Sequence, residues 1–256
     1  MTSTILITGG TGTLGRLVVP LLREAGQRVR VLSRTRRAAE DGIEYVTGDL
    51  VKDEGVEAAV AGASIVLHLA GGPKGDDVAT RNLARAAAAA GVRHLVYISV
   101  IGADRVPLAW MRSKLAAERA VSESGVPWTT VRAAQFHDLA LKMVAGMAKL
   151  PVVPKPGGLR LQPVEARDVA ERLVELALGE PAGLVPDLAG PRVYGMDELV
   201  RGYLAAQGKR RPMLPVRIPG KVGRAYRAGG NLTLEGASLG RGTWEDFLAR
   251  RSLAAA

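Results

Sequence analysis

Short aliphatic runs and amphipathic stretches alternate along the first half of the chain. Six runs, most of them continuously aliphatic, are typical of strands buried on both faces; they cover residues 4–8, 28–33, 43–47, 64–69, 94–99 and 127–132. Apolar residues recur at three- and four-residue spacing between them, which predicts helices over 14–25, 54–61, 77–90 and 108–124. Such alternation predicts an α/β fold with a doubly wound parallel sheet and right-handed crossovers.

The pattern changes after residue 133. The later elements that we predict are helices over 136–150, 165–178, 196–207, 219–228 and 243–251, short strands over 159–164 and 184–188, and an irregular Pro- and Gly-rich segment over 151–158. Ligands of open α/β sheets bind beyond the carboxyl ends of the strands. We therefore interpret residues 1–256 as one domain in which about 134–163 and 180–256 form a small lobe covering the ligand.

A glycine cluster follows the first strand and opens the first helix. Gly9, Gly12 and Gly15 are spaced three apart. Glycines at this place let the backbone approach a pyrophosphate, and the helix start offers free N–H groups and the positive end of its dipole. The alternative is a tight turn that binds nothing. We predict a dinucleotide site in a Rossmann-type sheet, formed here by Gly9, Thr11, Gly12, Thr13, Leu14 and Gly15.

The end of the second strand indicates which dinucleotide is bound. An NAD site usually has an Asp or Glu about 20 residues past the glycines, where it accepts hydrogen bonds from the ribose. Ser33 and Arg34 stand there, and the first Asp or Glu that follows them is Glu40. A guanidinium can donate two hydrogen bonds to a 2′-phosphate. We predict NADP(H) over NAD(H), with Arg34 as the main contact and Arg37 or Arg36 as a helper; a solvated basic turn is the alternative.

Composition narrows the class of protein. The chain has 256 residues, 47% of them hydrophobic, and no cysteine, which excludes disulfides and fits a cytoplasmic location. The net charge of +10 would suit nucleic acid, but aromatic residues make up only 4% and the basic residues are scattered. We expect a small-molecule substrate, no nucleic-acid or membrane partner, no metal, and a monomer or homodimer.

The chain resembles the atypical short-chain dehydrogenase/reductases, and among them the NmrA-like NAD(P)-binding proteins. The motifs that carry this resemblance are 8–15, Gly48-Asp49-Leu50, 69–72, 97–103 and 162–170. The resemblance implies further cofactor contacts from Asp49, Leu50, Leu69, Ala70, Gly71, Ser99, Lys114, Ala134 and Phe136. It also implies hydride transfer to a small organic acceptor such as a quinone or an enone.

The sequence departs from this family at the catalytic position. Catalytic members of the wider superfamily carry Tyr-x-x-x-Lys, in which the Tyr hydroxyl exchanges a proton with the substrate. Trp110 stands in place of that Tyr, and Lys114 matches the Lys. Because an indole N–H does not ionise in water, Trp110 cannot act as the general acid. Lys114 is left as the catalytic candidate beside the ribose.

Two functions remain open on this evidence. One is a reductase whose proton comes from Lys114, water, His137, Tyr194 or Tyr203. The other is a non-catalytic protein that binds NADP(H), senses redox state and passes it to a partner. For the substrate pocket the candidates are Trp110, Phe136 and His137.

Overall fold

The computed structural model describes residues 3–40, 42–72 and 74–253; the ends of the predicted domain and lobe, 1–2 and 254–256, lie outside them. The chain divides into two compact units. The first comprises residues 1–99, 109–131 and 169–185, and the second comprises 100–108, 132–168 and 186–256. The single-domain assignment stays a prediction.

The first half of the chain alternates strands and helices as its hydrophobic pattern predicts. In chain order the elements are β1 (Thr4–Thr8), α1 (Gly15–Glu24), β2 (Arg28–Ser33), β3 (Ile43–Thr47), α2 (Val56–Val60), β4 (Ile65–His68), α3 (Asp76–Ala89), β5 (His94–Val100), α4 (Ala109–Ser122) and β6 (Trp128–Ala133). The boundaries of β1, β2 and β3 are those predicted, and the others differ by one or two residues. The α/β fold with a large parallel sheet is confirmed.

The strands of the first unit are parallel, in the order β6-β5-β4-β1-β2-β3. β1 lies at the centre, with Ile7 opposite Val31 on one side and Leu67 on the other. The strand order reverses between β1 and β4, and such a switch point is where open α/β sheets bind ligands. The glycine cluster follows β1 directly, so the topology brings it to this point.

An apolar core fixes these strands against their helices. Leu6, Val66 and Leu95 contact Ala-rich α3, whose Leu83 and Ala87 are almost fully buried. Small side chains let helix and sheet approach closely, which sets the strand ends in a rigid frame.

The later elements are shorter. In chain order they are α5 (His137–Met147), β7 (Val153–Pro156), β8 (Arg160–Leu161), α6 (Ala166–Leu178), β9 (Gly183–Leu184), β10 (Leu188–Ala189), β11 (Tyr194–Gly195), α7 (Met196–Ala206), β12 (Met213–Val216), α8 (Gly220–Arg227), β13 (Ser238–Leu239) and α9 (Trp244–Leu253). In the described part of the chain no helix is both long and apolar enough to cross a membrane.

The strand predicted over 159–164 is shorter, β8, and β11, β12 and β13 were not predicted. Two further predictions of this region were wrong because of prolines. The segment 151–158, expected to be irregular, contains β7, which pairs in parallel with β12 even though Pro154 lies within it. Proline is tolerated in a strand where its missing N–H is not needed, as in this two-stranded ribbon. The strand expected over 184–188 is interrupted at Pro186 and divides into β9 and β10.

Candidate functional site

The glycine turn after β1 packs so closely that two of its residues must lack a side chain. Gly9 has a φ of +72°, and a Cβ there would lie 2.7 Å from the backbone nitrogen of Ala70. A Cβ on Gly15 would lie 2.4 Å from the Cα of Gly10. These contacts are shorter than van der Waals distance, so Gly9 and Gly15 are required by the fold itself.

Gly12 is less closely packed than Gly9 and Gly15, the other two glycines of the motif. A Cβ there would meet the carbonyl oxygen of Gly9 at 3.2 Å. Gly12 and Thr13 are exposed and Thr11 is half-buried, while Leu14 and Gly15 are buried. The first turn of α1 contains no Asp or Glu, so the positive end of its dipole is not neutralised from within. This exposed, positive turn fits a pyrophosphate.

The carboxyl end of β2 presents cations. Ser33 is buried, and its hydroxyl accepts a hydrogen bond from the N–H of Thr35 at 3.3 Å, which shapes the turn. Arg34 is exposed directly after it. The guanidinium of Arg37 lies 5.9 Å from the ring centroid of Tyr45 on β3, within cation–π range. The end of β2 and the loop that follows it therefore carry two cations, Arg34 and Arg37.

The loop after β3 is fixed by its own hydrogen bonds. The Oδ1 atom of Asp49 accepts hydrogen bonds from the N–H groups of Val51 at 2.9 Å and Lys52 at 3.2 Å. Leu50 is buried, and its carbonyl accepts a hydrogen bond from the side chain of Asn82 at 2.8 Å. This holds the Asp49 carboxylate in one orientation, as a specific contact to an adenine would require.

The loop after β4 is held by Thr8. The N–H of Leu69 donates to the Thr8 carbonyl at 3.1 Å, and the N–H of Ala70 donates to the Thr8 hydroxyl at 3.2 Å. The same hydroxyl lies 2.6 Å from Nδ1 of His68, whose Nε2 lies 3.0 Å from the hydroxyl of Thr80. Burial, reinforced by the positive charge of Lys114, lowers the pKa of His68 to about 3. His68 is thus a neutral structural side chain at physiological pH.

Lys114 is fixed by two side chains that sequence reasoning missed. Its Nζ lies 2.7 Å from Oδ2 of Asp76 and donates a hydrogen bond to the Tyr97 hydroxyl at 3.2 Å. Only 15% of the Lys114 side chain and 6% of the Asp76 side chain are exposed. A Cβ on Gly71 would lie 3.2 Å from the same Nζ. The ammonium therefore lies against the backbone of the loop after β4, at a predicted cofactor position.

Tyr97 supports this lysine without being able to act as an acid. It is fully buried, and burial raises the pKa of its hydroxyl far above the ordinary range, as do the nearby charges of Asp76 and Glu118. An aromatic residue in an aliphatic strand is typical of core, and an Asp in the first turn of a helix usually complements the dipole. Tyr97 lies in the motif 97–103, but nothing in the sequence indicated that it or Asp76 would contact Lys114.

Trp110 and Lys114 both lie on α4, four residues apart, and therefore share one face of the helix. Trp110 is half-buried. Ser99 is 4% exposed, and its hydroxyl has no hydrogen-bond partner among the residues that the structure describes. A buried hydroxyl without a partner is the kind of atom that a bound ligand or water satisfies.

The remaining predicted residues belong to the second unit. Ala134 is buried, and its N–H donates to the Leu188 carbonyl at 2.9 Å. Phe136 is the half-buried residue before α5 and pairs with Val164.

His137 does not have the exposure of a substrate contact. It is 0% exposed, its ring lies 5.9 Å from that of Trp244 and 5.2 Å from that of Phe247, and its Nδ1 is 3.6 Å from Oε2 of Glu165. The nearby His137 ring and the charge of Arg250 lower the pKa of Glu165. His137 is a core side chain of the second unit, which corrects the expectation that it lines a pocket.

The two other tyrosines considered as proton donors are also used within the second unit. The Tyr194 hydroxyl donates to Glu245 at 2.7 Å, and Tyr203 packs against the apolar core. Burial and the bond to Glu245 raise the pKa of Tyr194 to about 12.

Strand order, glycine turn and the cation-flanked end of β2 define a dinucleotide-binding α/β protein. The model of the NAD(P)H-binding family matches residues 9–179, and the chain belongs to that family. The resemblance inferred from the sequence motifs is confirmed.

Curated relatives include several reductases. The chain is 35% identical over 181 residues to a (4-alkanoyl-5-oxo-2,5-dihydrofuran-3-yl)methyl phosphate reductase of Streptomyces griseus, covering 68% of this chain and 63% of that protein. It is 30% identical over 213 residues to an NAD(P)H azoreductase of Xenophilus azovorans, covering 80% of this chain and 74% of the other. The chain thus spans less than two thirds of the Streptomyces protein.

A solved structure has the same fold over nearly the whole length. It is the NADPH complex of a quinone oxidoreductase from Escherichia coli, with a TM-score of 0.83 and 20% identity, covering 96% of this chain and 99% of that one.

Proposed function

We propose that this protein is an NADPH-dependent oxidoreductase that reduces a small organic acceptor without a tyrosine general acid. The observation that carries the proposal is Lys114, held by Asp76 and Tyr97 against Gly71 at a predicted ribose position. A fixed ammonium at this place could hold the ribose and stabilise negative charge that develops on the acceptor. Bound NADPH would supply the hydride; the chain's own residues hold and orient the reactants.

The preference for NADP(H) rests on charge at the end of β2. A 2′-phosphate needs cations, and Arg34 is exposed there, with Arg37 beside it over Tyr45. Asp49, with its orientation fixed by Val51 and Lys52, would contact the adenine. The turn at Gly12 would receive the pyrophosphate. We also propose a cytoplasmic location. NADPH is available there, and a chain without cysteine forms no disulfide that would need an oxidising compartment.

The acceptor class follows from the missing acid. Hydride addition to a quinone or to a double bond conjugated with a carbonyl gives a delocalised anion, which water can protonate. Reduction of a simple ketone gives an alkoxide and depends far more on an acid. The names of three relatives fit this division: a dihydrofuranone carrying an acyl group, an azo compound and a quinone. We propose an electron-poor conjugated acceptor of this kind.

The alternative is a non-catalytic NADP(H) sensor. The presence of Trp110 in place of the catalytic tyrosine favours it. A panel of quinones, enones and azo dyes with NADPH distinguishes the two, with absorbance at 340 nm as the readout. We expect turnover with at least one acceptor, and a loss of at least about 100-fold in kcat/KM for Lys114→Met. NADPH binding without turnover on any acceptor would contradict the reductase and favour the sensor.

A second variant tests the missing acid directly. Trp110→Tyr restores a hydroxyl at the superfamily's catalytic position. If the acceptor needs no acid from the protein, kcat with the best quinone should change by less than about threefold. A large gain would show that the natural acceptor is one that requires proton donation, and the acceptor class proposed here would be wrong.

A further inference from the structure

The second unit contains a basic surface in which cations outnumber carboxylates, although Arg201 pairs with Asp197 at 3.1 Å. Residues 199–234 include eight Lys and Arg and no Asp or Glu, and residues 139–164 include four and none. The two segments meet where β7 pairs with β12, with Met213 opposite Val153. Because the two strands are parallel, the residues that precede them, with Lys149 on one side and Lys209, Arg210 and Arg211 on the other, enter the ribbon from the same end.

Exposed apolar side chains lie in the same ribbon. On β12, Leu214 is 59% exposed and Val216 is 42% exposed, and alternation along a strand puts both on one face. Just before β7, Leu150 and Val152 are 49% and 45% exposed. We call residues 149–156 and 208–217 the ribbon surface; its exposed cations are Lys149, Lys209, Arg210, Arg211 and Arg217.

A groove adjoins the ribbon surface at the end of α7. It has a volume of about 670 Å³ and is lined by Arg201, Leu204, Ala205, Gly208, Lys209, Arg210, Arg211 and Met213. Cations at a helix C-terminus also stabilise the dipole, but that effect is confined to the last turn. Lys209, Arg210 and Arg211 lie beyond the end of α7 at Ala206. Their charges therefore remain available to an external anion.

We infer that the ribbon surface binds the face of an anionic lipid bilayer. Lipid phosphates would occupy the basic groove, while Leu214 and Val216 enter the boundary between headgroups and acyl chains. This goes beyond the proposed reductase function and revises the expectation of no membrane partner.

Charge and side-chain type argue against other occupants. A second copy of this chain would present the same uncompensated cations, and like charges repel. Single-stranded nucleic acid is bound through stacking aromatics as well as cations, and duplexes through phosphate contacts to which exposed apolar residues add nothing. The exposed apolar residues here are Leu and Val, whereas Tyr203 and Tyr226 pack on the apolar core of the unit. Aliphatic residues among cations match a lipid surface best.

Co-sedimentation of the full chain with vesicles tests this inference. We expect binding to vesicles of phosphatidylcholine with about 30% phosphatidylglycerol, weak binding to phosphatidylcholine alone, and release by high salt. Each cation at a membrane surface contributes about fivefold in partitioning, so Arg210→Gln/Arg211→Gln should lower it roughly 20-fold. Leu214→Ser/Val216→Ser should lower it also, with circular dichroism confirming the fold.

Matched variants in the first unit provide the controls. Arg23→Gln/Arg28→Gln removes two exposed cations, and Leu178→Ser/Leu184→Ser removes two exposed leucines; both should bind vesicles like the wild type. Equal binding to neutral and anionic vesicles, or equal losses in ribbon and control variants, would overturn the inference. So would binding of a DNA or RNA oligomer with no binding to vesicles, or a dimer broken by Leu214→Ser/Val216→Ser.

Discussion

The two units of this protein use their charged and polar groups differently. Both contain ion pairs, such as Lys114 with Asp76 in the first and Arg192 with Glu198 in the second. The second differs in that residues 139–164 and 199–234 include Lys and Arg but no Asp or Glu. The comparison shows that ionic groups such as Lys114 and Asp76 stabilise the fold of the first unit, into which a cofactor fits. The second unit presents its charges outwards, where they are available to a partner.

The largest effect expected in the first unit comes from its glycine turn. Gly15→Ala places a methyl group 2.4 Å from the Cα of Gly10, and the backbone cannot give way cheaply. We expect it to lower the free energy of unfolding by more than about 3 kcal/mol, measured by urea denaturation.

Gly12→Ala is the matched control for this prediction. Its new Cβ meets one protein atom, at 3.2 Å. Stability should stay nearly unchanged while NADPH affinity falls roughly tenfold, because the pyrophosphate loses close backbone contacts. Similar unfolding energies for both variants would contradict the division of roles between these glycines.

The ion pair of Lys114 should come next in size. Asp76→Asn leaves a largely buried ammonium without its counter-charge, which we expect to cost about 3 kcal/mol of stability and to lower kcat/KM. Asp77→Asn is the neighbouring control: Asp77 pairs with exposed Arg81, and its loss should cost less than about 1 kcal/mol. If the two variants lost the same stability and the same kcat/KM, the buried pair of Asp76 with Lys114 would contribute no more than the surface pair of Asp77 with Arg81.

His68 should make the first unit sensitive to acid. Its pKa falls from 6.5 to about 3 on folding, so the unfolded chain takes up the proton first. The contribution of neutral His68 to the free energy of unfolding is complete above pH 6.5 and is lost as the pH falls towards 3. Between pH 7 and pH 5 it should decrease by about 2 kcal/mol. Urea denaturation of His68→Asn should show a correspondingly shallower pH dependence, and an unchanged slope would refute the assignment.

Tyr97→Phe should produce the smallest effect. It removes the hydroxyl that accepts a hydrogen bond from Lys114, which is worth about 1 kcal/mol. NADPH affinity and kcat/KM should fall together by about fivefold, a ratio set by the same free energy. Tyr45→Phe, on β3 under Arg37, should leave both within twofold of the wild type.

The contrast between the units also explains what the sequence could predict. The aliphatic runs, the glycine spacing and Arg34 are local signals, and each indicates its role without knowledge of the fold. Asp76 and Tyr97 acquire theirs only when α3 and β5 bring them to Lys114. His137 looked like a pocket residue because it follows β6, yet the rings of Trp244 and Phe247, far along the chain, enclose it.

Proline was misleading in the second unit for a related reason. Pro154 and Pro156 are unfavourable in most strands, but β7 pairs with one neighbour, β12, in the described structure, and the ladder tolerates them. The partner strand lies about 60 residues later in the sequence, beyond any local pattern.

The central claim is that the first unit is built to hold NADP(H), and a titration of Arg34→Ala tests it most directly. Isothermal calorimetry with NADPH and NADH, on the wild type and the variant, gives four affinities. Loss of a charged contact to the 2′-phosphate should weaken NADPH binding roughly 10- to 100-fold and leave NADH binding within about twofold. Unchanged NADPH affinity in Arg34→Ala, or equal weakening of both cofactors, would contradict the account.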